Sequence, residues 1–281
     1  MSFVVKAPAK INWTLRVRGR REDGFHEIES LVSAVTLHDE LTFTSRDDSR
    51  FVLTCDDPSV PTDANNLVCR AAALLSPEAA DPVGLDCRLA KRIPIGGGLG
   101  GGSSDAAATL LALNRLWSLN WSVDRLTAAA ARIGSDVPFF VRGGTAVISG
   151  RGEHVRPTPL GWRGWIVLIL PGFPVSTAAV YQAWRPSTGE RAPLPADEAG
   201  PAAVRWMAAA YNMLEEPAIG VCPALGRLMS RGRELVGRPV RISGSGSTLF
   251  TAFDSENEAR EAAEALGREL QVRTTVVRPV E

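Results

Sequence analysis

A glycine-rich segment constrains what this chain can fold into more than any other part of its sequence. Residues 94–105 read Pro-Ile-Gly-Gly-Gly-Leu-Gly-Gly-Gly-Ser-Ser-Asp, with six glycines in seven consecutive positions. Because glycine lacks a Cβ atom, such a backbone can adopt positive φ values and can turn several N–H groups toward one point. The segment therefore predicts a tight loop that binds a phosphate group, and we call residues 94–102 the glycine loop.

The residues that follow the glycine loop predict a helix. Ser103, Ser104 and Asp105 are residue types of helix N-caps and first turns, and an apolar stripe comes after them. The stripe comprises Leu110, Leu111, Leu113, Leu116 and Trp117. We expect the helix to begin near Ser104, so that its free N–H groups and its positive dipole end face the loop. The two serine hydroxyls could then bind phosphate oxygens or a magnesium ion.

Other kinds of glycine-rich segment explain the sequence less well. A phosphate loop of the Walker type needs a Gly-Lys pair, and this chain contains none. The pattern G-x-G-x-x-G of dinucleotide-binding folds is met trivially by so many glycines, and those folds need a second strand soon after the helix. Here Trp121–Ile133 predicts a second helix with Ser122 as its N-cap. A flexible linker would need neither the strand-like Leu85–Lys91 before the loop nor a helix after it.

Two further segments contain candidate catalytic residues. Lys10 and Asn12 begin the polar face of a predicted strand, Ile11–Val17, in which apolar and polar residues alternate. Asp136 follows the second predicted helix and precedes a proline, so its carboxylate could point into a cleft from irregular backbone and act as a general base. The alternatives are a solvated lysine at position 10 and an Asx-turn at Asp136. The residue types alone leave both alternatives open.

Five segments, taken together and in their order along the chain, resemble one family of small-molecule kinases. They are Pro8–Asn12, Asp23–Glu27, the glycine loop, Gly134–Phe140 and Ser243–Thr248. The family is the GHMP kinases, named for galactokinase, homoserine kinase, mevalonate kinase and phosphomevalonate kinase. The finer wording of the motifs is similar to the branch that phosphorylates the 2-hydroxyl of a cytidine-diphosphate-linked methylerythritol. The resemblance runs from about residue 6 to residue 253, and it implies a kinase that uses ATP and magnesium.

The resemblance also implies roles for individual residues in catalysis and in ATP binding. Lys10 would lie beside Asp136, which would take the proton of the acceptor hydroxyl. Asn66 and Lys91 would lie near the adenine of ATP, although the first could instead cap a helix and the second could be a solvated charge. The phosphates of ATP would contact Pro94, Gly96, Gly97, Gly98, Leu99, Gly100, Gly101, Gly102, Ser103 and Ser104. Ser103 or Ser104 would hold the magnesium ion that accompanies ATP.

The same resemblance implies an acceptor pocket built around a flat base. Its residues would be Asn12, Phe25, His26, Asp136, Thr177 and Tyr181. His26 would hydrogen-bond the cytosine, Phe25 and Tyr181 would stack on its two faces, and Thr177 would lie near the diphosphate. Phe25 departs from the family, which commonly has tyrosine at that position, so stacking should survive while contacts of the hydroxyl are lost. Judged by residue type alone, a single histidine is more often a surface residue than a site residue.

Length and pattern predict two domains of the α+β class with the active site in the cleft between them. A chain of 281 residues is long for one compact unit, and its predicted strands and helices do not alternate strictly. We expect an N-terminal ATP-binding domain over residues 1–155 and a C-terminal α+β domain over residues 156–281. A segment rich in proline, glycine and acidic residues, Arg185–Pro201, predicts a surface loop.

Composition argues against several other classes of protein. The chain has 31 basic residues (lysine and arginine) and 31 acidic residues (aspartate and glutamate). This balance of charge argues against a nucleic-acid partner. The longest dense apolar stretch, Trp165–Leu170, is too short to span a membrane, and the N-terminus shows no secretion signal. The cysteines Cys55, Cys69, Cys87 and Cys222 form no C-x-x-C pair, which favours free buried thiols in the cytoplasm.

Two other functions remain open at this point, together with the oligomeric state. The first is a sister kinase that acts on homoserine or mevalonate, and the second is a catalytically silent nucleotide-binding sensor with the same fold. We expect a monomer or a homodimer that acts on a small-molecule substrate.

Overall fold

Two β-sheets with flanking helices make up the computed structural model, which describes residues 2–79, 83–186 and 203–280. The strands are β1 (Ser2–Asn12), β2 (Thr14–Arg20), β3 (His26–Ser45), β4 (Phe51–Cys55), β5 (Leu85–Ala90), β6 (Thr145–Gly150), β7 (His154–Pro157), β8 (Trp165–Leu170), β9 (Tyr211–Asn212), β10 (Arg241–Ile242), β11 (Leu249–Phe253) and β12 (Arg273–Val277). The helices are α1 (Leu67–Leu75), α2 (Gly101–Leu116), α3 (Val123–Ala130), α4 (Val137–Arg142), α5 (Thr177–Ala183), α6 (Ala203–Ala209), α7 (Glu215–Val221), α8 (Pro223–Val236) and α9 (Glu256–Leu270). A short 3₁₀ turn covers Ser76–Glu78. The predicted surface loop Arg185–Pro201 lies, from residue 187 onward, outside the described residues.

The strand β3, 20 residues long, is the central strand of the first sheet. Strands β1 and β2 follow one another along one edge of β3, while β6 and β5 share its other edge. The register of β1 against β3 shifts between Pro8 and Ala9, where proline has no N–H group to donate to the ladder. Lys10 and Asn12 therefore lie at the end of β1, in the middle of the sheet.

The prediction of a single strand over Ile11–Val17 is wrong in one respect, because the strand is interrupted at Trp13, between the end of β1 and the start of β2. The indole ring of Trp13 is fully buried and lies 5.5 Å from the ring of Trp162 and 5.7 Å from the rings of Trp206 and Phe250. These contacts join the first sheet to elements of the second half of the chain. Aromatic pairs of this kind add about 0.5–1.5 kcal/mol each beyond the burial of their area.

The predicted helix after the glycine loop is present as α2, but it begins earlier than expected. Its first residue is Gly101 and its N-cap is Gly100, whose φ of +72° is left-handed. Only a glycine enters a helix easily from that conformation, so the loop itself takes the place of a serine cap. Leu110 and Leu113 are buried as predicted, whereas Leu111 is 39% exposed. The predicted cap Ser122 is confirmed, since its side chain accepts a hydrogen bond from Arg125 at the start of α3.

The second sheet has the order β10-β11-β8-β12, and α9 packs against it. One element of this half of the chain returns to the first sheet, because β9 pairs in parallel with β2. The fold class is thus α+β, as predicted. The predicted domain boundary after residue 155 falls within β7 and stays a prediction.

The described residues contain no helix long and apolar enough to cross a membrane. All four cysteines are free thiols, but only Cys87 is fully buried, while the other three are half-buried. The expectation of four buried thiols is therefore correct for one of them.

Candidate active site

One large cavity, of about 1240 Å³, gathers almost every residue that the sequence singled out. Of the predicted residues, those that line it are Lys10, Asn12, Phe25, His26, Asn66, Lys91, Pro94, Gly96, Gly97, Gly98, Leu99, Gly100, Gly101, Gly102, Ser103, Asp136, Thr177 and Tyr181. Ser104 does not line the cavity, because it is buried within the first turn of α2. Segments of the chain more than 160 residues apart thus meet at one concave site.

The glycine loop lies between β1 and residues 243–248, which we call the serine loop. The backbone N–H of Lys10 donates to the carbonyl of Leu99 at 2.9 Å, on the side of β1. From the other side, the backbone N–H of Thr248 donates to Gly97, and the hydroxyl of Ser243 donates to Gly98. The glycine loop is therefore held on both sides by hydrogen bonds, to β1 and to the serine loop.

Gly98 fits this packing only because it has no side chain. Its φ is +75°, and a Cβ atom built on it would overlap the carbonyl oxygen of Ser243 and lie 3.0 Å from that of Gly246. Both obstacles are backbone atoms, so neither can rotate away. The glycine at this position is required by the close approach of the serine loop as well as by its φ angle.

Lys10 and Asp136 lie beside each other in the wall of the cavity, with 3.9 Å between Nζ and Oδ2. Lys10 is only 6% exposed, so the alternative of a solvated lysine is wrong. The side chain of Asp136 makes no capping bond at the start of α4, and its carboxylate is free to face the cavity. Burial lowers the pKa of Lys10, and the negative charge of Asp136 offsets part of that effect. A lysine beside a carboxylate can orient an acceptor hydroxyl while the carboxylate accepts its proton.

A chain of buried hydrogen bonds fixes the Asn12 side chain beside this pair. Lys10 Nζ donates to Asn12 Oδ1 at 2.6 Å, and Asn12 Nδ2 donates to the hydroxyl of Ser30 at 2.8 Å. Ser30 in turn donates to the carbonyl of Thr14. Because the ammonium group of Lys10 can only donate, the Asn12 atom that it contacts is the amide oxygen, and the amide has one orientation. Sequence reasoning missed Ser30, which is one serine in a long strand with no motif around it.

Lys91 is bound to two buried carboxylates and is not solvated. Its ammonium group contacts Asp39 and lies 2.9 Å from Asp105 Oδ2. Asp39 also accepts the backbone N–H of Ile93 at 2.8 Å. Burial on its own would lower the pKa of Lys91, but Asp105 and Asp39 outweigh it and raise that pKa. Burial raises the pKa of Asp105 to about 7, with Lys91 opposing the shift and Asp39 adding to it.

The raised pKa of Asp105 predicts a pH-dependent effect of Asp105→Asn on stability. The unfolded chain releases this proton near pH 3.8 and the folded chain near pH 7, so Asp105 favours the folded state at low pH and this contribution is lost as pH rises through 7. Asp105→Asn cannot lose a proton. We therefore expect its stability relative to the wild type to increase between about pH 4 and pH 7, by at most about 1.4 kcal/mol per pH unit, and to stay constant above pH 7.

Chemical denaturation at several pH values measures this difference. Asp86→Asn is the matched control, because Asp86 is an exposed carboxylate paired with Arg46. A difference between Asp105→Asn and wild type that does not change between pH 4 and pH 8 would contradict the prediction.

Asn66 both caps a helix and lines the cavity. Its side chain accepts the backbone N–H of Val68 at 2.9 Å, at the start of α1, and donates to the carbonyl of Pro61 at 2.7 Å. The alternative interpretation as a helix cap is therefore confirmed. Because the same residue lies in the wall of the cavity with Lys91, a role near a nucleotide base stays a prediction.

The opposite end of the cavity is lined by aromatic rings. The ring of His26 lies 4.9 Å from that of Tyr181 and 5.8 Å from that of Trp184, between centroids. Burial, and then the positive charge of Arg20, lowers the pKa of His26, so its imidazole is neutral at pH 7. Burial, and then the charge of Asp136, raises the pKa of Tyr181, which keeps its hydroxyl protonated. Neutral donors and acceptors between flat rings suit a nucleobase.

Phe25 and Thr177 complete this end of the cavity. The ring of Phe25 is 47% exposed, and the guanidinium of Arg151 lies 5.0 Å from its centroid. The hydroxyl of Thr177 lies 2.8 Å from that of Ser245 in the serine loop. Sequence reasoning missed Arg151 and Trp184, and it named Ser245 only as part of the segment Ser243–Thr248, with no role of its own.

Oxygen atoms at the start of α2 could accept a cation. The hydroxyl of Ser104 and Oδ1 of Asp105 are buried with no hydrogen-bond partner among the described residues, and Ser103 lines the cavity beside them. The described residues contain no group of three or more histidines, cysteines or carboxylates that could hold a metal ion. A cation here would therefore depend on oxygen ligands that arrive with a phosphate compound.

Two family models and a curated relative match this chain over long stretches. Residues 66–144 match the GHMP kinases N terminal domain, and residues 201–272 match the GHMP kinases C terminal family. The chain is 40% identical over 275 residues to the 4-diphosphocytidyl-2-C-methyl-D-erythritol kinase of Thiobacillus denitrificans, which covers 96% of this chain and 94% of that protein.

Two solved structures are similar over nearly the whole chain. A crystal structure of 4-(cytidine 5'-diphospho)-2C-methyl-D-erythritol kinase is 37% identical with a TM-score of 0.82, covering 99% of this chain and 100% of the other. A homoserine kinase from Cytophaga hutchinsonii is 19% identical with a TM-score of 0.74, covering 99% and 95%. The second similarity, at this low identity, concerns the fold alone.

Proposed function

The chain belongs to the 4-diphosphocytidyl-2-C-methyl-D-erythritol kinases, a family within the GHMP kinases, and on this premise we propose how its residues perform the reaction. The protein transfers the γ-phosphoryl group of ATP to the 2-hydroxyl of 4-diphosphocytidyl-2-C-methyl-D-erythritol, a step of the non-mevalonate isoprenoid pathway. One observation carries the assignment of residues: the Lys10–Asp136 pair and the glycine loop line the same cavity, whose other end is aromatic.

The glycine loop and the start of α2 form the donor side. Free backbone N–H groups and the positive end of the α2 dipole stabilise the negative charge of the phosphates. Lys91 and Asn66 line the cavity on this side, and we place the adenine beside them. Because the glycine loop is bonded to both β1 and the serine loop, it can hold the phosphates without further rearrangement.

Asp136 acts as the general base and Lys10 orients the acceptor. Phosphoryl transfer depends mainly on positioning and on charge stabilisation, which the fixed Lys10–Asn12–Ser30 chain supplies. Asp136 accepts the proton of the 2-hydroxyl as the bond to phosphorus forms. Lys10, buried and beside Asp136, holds that carboxylate in place.

The aromatic end takes the cytosine. Phe25 and Tyr181 stack on the base, and the neutral imidazole of His26 hydrogen-bonds its edge. Thr177, together with Ser245, lies where the diphosphate passes from the base toward Asp136. The Phe25 ring, which has no hydroxyl, is held by the guanidinium of Arg151.

Ser103 at the start of α2 fits a magnesium ion that accompanies ATP. It lines the cavity with an oxygen ligand of the kind that this ion prefers, whereas Ser104, whose hydroxyl is unpartnered, does not line the cavity. Magnesium supplies neutralisation of the phosphate charge during transfer. We place the protein in the cytoplasm, where ATP is available, as a monomer or a homodimer.

The release of ADP from purified protein tests this function. We expect turnover with ATP, magnesium and 4-diphosphocytidyl-2-C-methyl-D-erythritol, and none with mevalonate, with homoserine or without an acceptor. Turnover with mevalonate or homoserine would support the assignment of a kinase activity but contradict the assignment of a pocket for the base. Binding of ATP without turnover on any acceptor would instead support the nucleotide sensor.

A further inference from the structure

A buried asparagine outside the motifs holds the serine loop. Asn212, in β9, is 4% exposed, and its Nδ2 donates to the carbonyls of Ile242 at 2.9 Å and Gly244 at 2.7 Å. Its Oδ1 accepts the backbone N–H of Leu214 at 2.8 Å. Because a backbone N–H can only donate, the amide has one orientation, with both of its N–H bonds directed at the two carbonyls.

Of the two residues whose carbonyls Asn212 holds, Ile242 ends β10 just before the serine loop, and Gly244 is the residue of the serine loop beside the catalytic pair. A Cβ atom built on Gly244 would lie 3.3 Å from Lys10 Nζ and 3.4 Å from Asn12 Oδ1. The neighbouring Ser243 donates to the glycine loop at Gly98, and Ser245 contacts Thr177. The serine loop thus touches the donor side, the catalytic pair and the acceptor side within three residues.

On its other side Asn212 is fixed to the strand that continues from the catalytic residues. The backbone N–H of Tyr211 donates to Trp13 and that of Met213 donates to Leu15, so β9 lies against β2. Asn212 therefore links β2 to the serine loop by a short, buried and fully hydrogen-bonded path. Among the described residues, Asn212 is the side chain that donates hydrogen bonds to both Ile242 and Gly244.

We propose that Asn212 is a positioning residue, which sets the distance between the glycine loop and the Lys10–Asp136 pair by holding the serine loop against β2. This inference rests on the proposed kinase function. A displacement of about 1 Å in a phosphoryl-transfer site can lower the rate by as much as 10²-fold. In the part of the chain that the structure describes, no hydrogen bond joins Asn66 or Lys91 to Asn212 or to the serine loop, so the adenine end should not respond.

Two variants of Asn212 and their matched controls test the proposal. Asn212→Ala removes the whole amide, while Asn212→Asp keeps the acceptor for Leu214 and loses both donors. Asn114 is the control, because its amide likewise both accepts from and donates to the backbone. Its Oδ1 accepts the N–H of Trp121 at 2.9 Å, and its Nδ2 donates to the carbonyl of Trp121 at 3.2 Å. Asn114 does not line the cavity. Asn114→Ala and Asn114→Asp thus repeat each change away from the site.

Steady-state kinetics and binding by calorimetry give the readouts. We expect kcat of both Asn212 variants to fall about 10- to 100-fold, and the Kd of ADP to rise about tenfold. The Kd of adenosine, which has no phosphate, should stay within twofold of the wild type. The Asn114 variants should lose thermal stability without these losses of kcat and of ADP affinity.

Other outcomes would overturn the proposal. These are an equal loss of adenosine and ADP affinity, wild-type kcat in both folded Asn212 variants, the same kinetic loss in the Asn114 variants, or failure of both Asn212 variants to fold. The ADP and adenosine measurements need no acceptor, so they remain decisive for Asn212 even if the wild-type protein shows no turnover and the proposed function fails.

Discussion

Asp136→Asn is expected to lower kcat by about 10²–10⁴-fold, the range that a general base contributes. Asparagine has nearly the same shape but cannot accept a proton from the acceptor hydroxyl. The side chain of Asp136 is 35% exposed and makes no capping bond, and Lys10 keeps its hydrogen bond to Asn12. The variant should therefore fold, and it should bind ATP as the wild type does. Single-turnover assays and ATP titration measure the two quantities separately.

Asp124→Asn is the matched control for this prediction. Asp124 also pairs with a basic side chain, Arg142, but it is largely exposed and does not line the cavity. We expect its kcat to be that of the wild type. A turnover of Asp136→Asn within threefold of the wild type would remove Asp136 from the mechanism, whatever the control shows.

Gly98→Ala is expected to have the second large effect, on both stability and activity. The methyl group would overlap the carbonyl of Ser243, and alanine is strained at a φ of +75°. The φ angle alone costs about 1–2 kcal/mol, and the overlap must be relieved by moving either the glycine loop or the serine loop. Either movement displaces the phosphate site from Lys10. We therefore expect several kcal/mol of destabilisation and the loss of measurable turnover.

Gly237→Ala separates the two causes. Gly237, the C-cap of α8, has a φ of +61° with no atom within 4 Å of the position of a Cβ. It should lose only the 1–2 kcal/mol of the backbone term and keep full activity. Denaturant titration of the two variants compares them directly. Equal destabilisation in both would show that the contact of Gly98 with the serine loop is not tight.

The sequence was most informative where function depends on local backbone. Six glycines without Cβ atoms predict that another group comes close to the backbone of this loop. In the structure, the backbone of the serine loop comes close to it at Gly98. The predicted start of α2 lies three residues too late, because a left-handed glycine at position 100 takes the place of the expected serine cap. Cap patterns treat serine as the stronger signal, and they give no weight to a loop that enters the helix with positive φ.

Residues that act through distant contacts could not be predicted in this way. Asp39 lies 52 positions from Lys91, in the middle of β3, and nothing around it differs from an ordinary strand carboxylate. Asn212 and Ile242 are 30 positions apart, and Trp184 reaches His26 only because α5 packs over the start of β3. Such pairs follow from the arrangement of strands, which the pattern of residues along the chain does not specify.

The length of β3 has a consequence for how this active site can change. His26 at one end of the strand faces the acceptor pocket, Ser30 fixes Asn12, and Asp39, further along the strand, holds Lys91. A slip of one residue in the pairing of this strand would turn all three side chains away at once. We therefore expect a new acceptor specificity to arise chiefly from changes in the turn before β3 and in α5. These two segments can vary while β3 and its pairing register stay the same.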